Sequence, residues 1–335
     1  MKRLGDVNGS RFLYAVVLLP LIAAFAWWML HLGGGDEVKQ RKLSVIVDSS
    51  QDSRWVAFRS GVERAAEDNG LTVNFVNTGK LFSLADQRDL IQKELEEGAE
   101  AIVLQLCASE GSREMLSEFE GRVKIVLIEN GSEDESGEHA GESEEKAHVS
   151  VVRADDYEIG KALGYAILAN RKHDLRVGVI TGDLWKRSMR RRKEGLEEAL
   201  AESGIRPVWD SGAMLNLDAR IRARQETKEA NTFVAMDNEG LEAAVDYVIR
   251  HGEHRVSVYG AGHSDRNVYH LDQGIIRTMA VVDTFNMGYQ AAEEAGLALR
   301  NRFFRPKEHP IQFHMVRRET MFQPENQRLL FPLVE

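Results

Sequence analysis

Residues 42–71 read KLSVIVDSSQDSRWVAFRSGVERAAEDNGL, and this stretch decides the fold. Leu43, Val45, Ile46 and Val47 form a short β-branched run of the kind that becomes a strand buried on both faces. Trp55, Phe58, Val62, Ala65 and Ala66 follow at helical spacing, and Asn69-Gly70 closes the helix. The unit repeats downstream: apolar runs begin at about 43, 71, 101 and 123, with a helix expected at about 86–97. One strand plus one helix per interval is what parallel βαβ crossovers require.

A second series is expected to open with HVSVV (148–152) and to continue through LRVGVIT (175–181), IRPVWDS (205–211), TFVAMD (232–237) and RVSVYGAG (255–262). Helices are expected between these runs. IIRTMAVV (275–282), a helix at 284–302 and a last strand at IQFHMVRR (311–318) complete it. Two similar α/β halves in one chain place a ligand crevice at the carboxyl ends of both sheets.

The 335 residues comprise 43 basic and 53 acidic side chains, a net charge of -10, with 6 prolines and 43% hydrophobic residues. This describes a globular chain with a sizeable core, and its acidity disfavours sequence-independent nucleic-acid binding. The lone cysteine, Cys107, excludes an intramolecular disulfide and a cysteine-rich metal site. Residues 131–146 (GSEDESGEHAGESEEK) hold seven acids and one lysine and read as a solvated loop.

Before the first strand, residues 12–32 (FLYAVVLLPLIAAFAWWMLHL) run for 21 residues without a formal charge. At about 1.5 Å per residue the segment matches a hydrocarbon core roughly 30 Å thick. Lys2, Arg3 and Arg11 precede it and Trp27-Trp28 lie near its far end, so the N-terminus is expected inside and the rest outside. A cleaved signal peptide is the competing reading, weakened by the length of the run and the bulky WWMLHL end. The expectation is a cytoplasmic N-terminus at 1–11, a transmembrane helix at 12–32 and a stalk at 33–41.

In such a fold the chemistry lies at the strand tips. The first tip holds Gln51, Asp52 and Trp55, where Asp52 is also a candidate helix cap and Trp55 a candidate core residue. A flat apolar ring beside hydrogen-bonding groups is what a sugar needs. Glu129-Asn130 follows the fourth strand, Arg190 stands in the cationic stretch after Gly182-Asp183, and Asp237-Asn238 follows a later strand. Enzyme readings find little support. Gly260-Ala261-Gly262 lacks the third glycine of a dinucleotide fingerprint, no Walker loop occurs, and His251, His254, His263 and His270 lack zinc spacing. No cofactor, metal or catalysis is expected.

The order of these stretches, with VKIVLIEN, VVRADDYEIGKALGYAI, VGVITGD, RRRKEGLEEAL, FVAMDNEGLEAA and MGYQAAEEAGLAL, resembles the periplasmic binding proteins of the ribose-binding type, which share their fold with lactose-repressor-like effector domains. The resemblance covers about 40–320. It implies two Rossmann-like lobes with parallel sheets joined by three crossovers, closing on a sugar by hinge motion. The lobes would be 42–150 with about 283–311, and 151–282 with about 312–335. It also implies ligand contacts at Gln51, Asp52, Trp55, Glu129, Asn130, Arg190, Asp237 and Asn238. Two departures stand out: Gly260-Ala261-Gly262 loses the family's usual carboxylate unless Asp265 replaces it, and a hinge position often polar is Val281.

The function expected is that of a membrane-anchored extracytoplasmic solute-binding protein, taking a monosaccharide or related polyol and presenting its closed form to the permease of an ABC importer. The alternative is the ligand-reading input of a membrane sensor histidine kinase. A gene regulator is disfavoured, because a membrane segment stands where a helix-turn-helix belongs.

Overall fold

The computed structural model describes residues 41–132, 149–170, 174–212, 216–253 and 255–331, together with Phe25 and Trp27. The membrane segment expected at 12–32 therefore lies outside the described residues apart from those two. Among the described residues no helix is long and apolar enough to cross a membrane.

The chain opens β1 (Arg41–Ile46), α1 (Val56–Asn69), β2 (Leu71–Phe75), α2 (Leu84–Glu96), β3 (Ala101–Gln105), α3 (Ser112–Ser117), β4 (Lys124–Ile128) and β5 (Ser150–Ala154). It continues with α4 (Asp156–Ala169), β6 (Val177–Ile180), α5 (Arg187–Ala201), β7 (Trp209–Asp210), α6 (Leu217–Thr227) and β8 (Thr232–Ala235). Then follow α7 (Asn238–His251), β9 (Ser257–Ala261), α8 (Asp265–Asp272), β10 (Ile276–Val282), α9 (Thr284–Arg300), β11 (Glu308–Ile311), β12 (Phe313–Val316) and α10 (Pro324–Leu330). Two six-stranded sheets result, ordered β11-β5-β4-β3-β1-β2 and β12-β10-β9-β8-β6-β7. All pairings are parallel except β10 with β12.

Each sheet is covered on both faces, as the continuous apolar runs require. In the first lobe Leu43, Val45 and Val126 face α1 and α9, whereas Ile46, Ile102 and Leu104 face the opposite way with Ile91 and Phe119. The second lobe repeats the plan: Phe233 and Val258 pack with Leu241 and Val245 of α7, and Val179 and Val234 with Ile159 and Leu196 of α4 and α5.

The chain passes between the sheets after β5, after β10 and between β11 and β12. The last two passages are tied together where the Asp283 N–H donates to the Gln312 carbonyl at 3.0 Å. The first passage differs from the sequence expectation. The strand within HVSVV does not open the second series; Ser150–Ala154 joins the first sheet beside β4, with Leu127 opposite Val151. A buried apolar run carries the same signal in either sheet, so its sequence cannot assign it.

Close helix crossings hold each lobe together. A Cβ on Gly160 of α4 would stand 1.8 Å from the Arg192 carbonyl oxygen, and one on Gly195 of α5 would stand 2.0 Å from that of Tyr157. The α1–α9 crossing uses Gly61 and Gly288 in the same way.

Candidate functional site

A cavity of about 110 Å³ lies between the carboxyl ends of the two sheets. That exceeds by several-fold the roughly 10–15 Å³ one water needs, so a small solute has room. Asp52 caps the turn at Ser53–Trp55, its Oδ1 accepting from the Arg54 N–H at 3.0 Å. Trp55 is buried at 1% exposure, and its indole N–H donates to the Asp48 carbonyl at 2.9 Å. The Arg54 guanidinium lies 4.1 Å over the Trp55 ring and 3.5 Å from Glu129 Oε1. The tryptophan therefore supports an arginine as well as lining the cavity, instead of offering an open face.

Ser49 and Glu129, both lining the cavity, adopt left-handed backbone at φ 48° and 59°. Non-glycine residues are uncommon there, and such positions concentrate at ligand sites. The turn brings the Glu129 carboxylate to Gln105, whose amide donates to it, while Gln105 Oε1 accepts from the Asp48 N–H at 2.9 Å.

From the second lobe, Asp237 caps α7 through the Gly240 N–H at 2.7 Å. Asn238 Oδ1 accepts from the His263 and Ser264 N–H groups at 2.8 and 3.2 Å, fixing the loop that carries the imidazole. Arg192 holds Asp156 at 2.8 Å and donates to the Met236 carbonyl at 2.7 Å. Among the described residues, ion pairs of Lys80 with Glu239 at 2.6 Å and of Lys186 with Asp48 at 3.6 Å join the lobes. Ser109, whose N–H donates to the Trp185 carbonyl at 2.9 Å, adds a direct backbone link, so the lobes are closed.

Asp52, Trp55, Glu129, Asp237 and Asn238 thus meet at the cavity, as expected from the strand tips. Three other expected contacts do not line it. Gln51 is exposed and donates to Asn77 Oδ1 at 3.3 Å; Asn130 is buried and accepts from the Ser188 N–H at 3.2 Å; Arg190 donates to the Leu184 carbonyl at 2.6 Å. Ser188 and Met189 line the cavity, and four residues on from Ser188 the same helix face carries Arg192. Arg190, about 200° around from Ser188, points elsewhere.

Sequence reasoning missed Asp48, Arg54, Lys80, Gln105, Asp183, Lys186, Arg192, His263 and Thr284. Gln105 was the most legible, a polar residue ending the apolar run AIVLQ. Asp265 does not replace the missing carboxylate: its N–H meets Ser53 Oγ at 3.3 Å, and His263 lines the cavity in its place. Among the described residues no group of three or more His, Cys, Asp or Glu is placed to hold a metal.

Burial, followed by the charge of Arg54, pushes His263 down to about 4, so its ring is neutral at ordinary pH. The histidine of the unfolded chain titrates near 6.5, so folded stability is full above that pH and declines as pH falls toward 4. The expected loss is at most about 3 kcal/mol. It is read as a fall in Tm between pH 7 and 4.5 that His263→Gln reduces, and equal pH profiles in the two proteins would reject it.

Residues 43–302 match the profile of a periplasmic binding protein domain. The chain belongs to that family. No curated protein matches it. Among solved structures, the chain resembles a carbohydrate transporter solute-binding protein from Agrobacterium radiobacter in complex with D-arabinose, at 16% identity and TM-score 0.76, covering 88% of this chain and 100% of that one. It also resembles GanP, a glucose-galactose binding protein from Geobacillus stearothermophilus, at 16% identity and TM-score 0.70, covering 85% and 99%. A chain of a XylFII–LytSN complex aligns at 18% identity and TM-score 0.69, covering 84% and 98%. At these identities the likeness is one of fold.

Proposed function

We propose that this chain is a receptor for a monosaccharide or related polyol, held at the membrane by residues 12–32 with its binding lobes outside the cell membrane, and that it delivers its ligand to an ABC importer without catalysis. The observation that carries the reading is the closed cavity lined from both lobes by Asp52, Arg54, Glu129, Asp237 and Asn238. Such donors and acceptors suit hydroxyl groups, and a ligand touching both lobes favours closure. Similarity to sugar-binding proteins of the same fold supports it.

Calorimetry of the full chain in detergent against a panel of aldoses and polyols tests the reading. Asp237→Ala is expected to weaken the best ligand about tenfold to a few hundredfold, because each charge-assisted bond contributes roughly 1.5–3 kcal/mol. Absence of binding across the panel, or unchanged affinity in both Asp237→Ala and Trp55→Ala, would reject it. For the anchor, the chain should stay in membranes after alkaline carbonate washing, and a soluble mature form starting near Gly34 would refute that.

A second reading is the input subunit of a sensor kinase; a neighbour of the same fold stands in a complex with another protein, the XylFII–LytSN complex. Tethering suits either partner by raising effective concentration. Crosslinking in the source membrane separates the two: recovery of a permease supports the importer, and recovery of a histidine kinase supports the sensor.

A further inference from the structure

The cavity holds more acid than base. Its four cationic side chains each face a carboxylate: Arg54 is 3.5 Å from Glu129, Lys80 2.6 Å from Glu239, Lys186 3.6 Å from Asp48 and Arg192 2.8 Å from Asp156. Asp183 and Asp237 also line the cavity, and among the described residues neither has a cation within 4.0 Å.

These two carboxylates belong to neighbouring strand tips, β6 and β8, paired through Ile180 and Ala235. Asp237 Oδ2 lies against Gly182, where an added Cβ would stand 1.9 Å from it, so the Asp237 carboxylate sits beside the residue preceding Asp183. Asp183 is 9% exposed, and its Oδ1 accepts from the Trp185 N–H at 3.0 Å. Burial is the main cause that raises its carboxyl, and the Asp237 charge acts in the same direction against Trp185, Lys186 and Lys80. Lys186 and Lys80 act on Asp183 more strongly than Asp237 does, yet each is paired elsewhere, with Asp48 and Glu239. A calcium ion takes six to eight oxygens, more than this pair supplies.

We propose that the ligand carries a protonated amine, as in an amino sugar or amino polyol, and that Asp183 and Asp237 hold its ammonium group; this rests on the carbohydrate reading above. A hydroxyl also donates to a carboxylate, but an ammonium adds positive charge to a lining richer in carboxylates than in cations. A uronic acid brings a negative charge to the same two carboxylates and is disfavoured there.

The test is calorimetry of the full chain with four forms of glucose, galactose and mannose: the 2-amino sugar, its N-acetyl derivative, the parent aldose and the uronate. In one stereochemical series the amine is expected to bind at least about tenfold tighter than the parent, the worth of one charge-assisted bond. The N-acetyl form, which keeps bulk and removes charge, should lose that advantage, and the uronate should not bind. Asp183→Asn should abolish the amine preference, bringing the ratio of amine to parent affinity within about threefold of one. The ligand comparison needs no variant, so it stands even if the substitution disturbs folding. Parent sugars binding as tightly as their amines in every series, or an amine preference that survives Asp183→Asn, overturns this inference and leaves the carbohydrate reading standing. Absence of binding by every form, and by the panel of aldoses and polyols above, overturns both.

Discussion

Arg192→Ala is expected to lower the stability of the folded lobes by about 3–5 kcal/mol, the usual cost of leaving a buried charge without its partner. Asp156, 8% exposed, has Arg192 Nε at 2.8 Å, and the same guanidinium donates to the Met236 carbonyl. Burial already raises the Asp156 carboxyl, and the charge of Arg192 is the leading opposing influence. Without that charge the folded-state value rises further above the unfolded one. The added penalty is then absent at low pH, where both states are protonated, and appears as pH rises past about 3.9. The gap in Tm between wild type and variant should therefore be larger at pH 7 than at pH 4.5. Removing both partners, as in Asp156→Asn with Arg192→Met, should recover much of the loss. A cost below about 1 kcal/mol for Arg192→Ala would show that the pair is not a structural element.

Gly160→Val is expected to be comparably damaging, about 3 kcal/mol or more, at the upper end of overpacking effects. The first side-chain atom would stand 1.8 Å from the backbone oxygen of Arg192, and no rotamer change moves a carbonyl. Relief requires α4 and α5 to separate along the face that carries Ile159, Leu163 and Leu196. Gly195→Val meets Tyr157 from the other side and should behave alike. Gly79→Ala is the control, since nothing lies within 4 Å of its added Cβ. Thermal unfolding that places Gly160→Val within about 1 kcal/mol of Gly79→Ala would reject the close crossing as a source of stability.

The layer architecture and the strand-tip location of the site were readable from local pattern, because the burial of a run such as AIVLQ or VKIVLI on both faces follows from its own composition. Glu129 and Asp237 were readable for the same reason, as polar residues ending apolar runs, and Asp52 as a cap of the turn that follows one. Tertiary structure alone decided which sheet takes Ser150–Ala154, since the first lobe's edge is completed by β11, more than 150 residues further along. It also decided that Arg192 faces the cavity and Arg190 does not, because the face depends on where α5 begins relative to the opposite lobe. Lys80 and Glu239 are 159 positions apart and come together only when the lobes close. Periodicity specifies which face of an element leaves water; the partner on that face is set by the packing of segments distant in the chain.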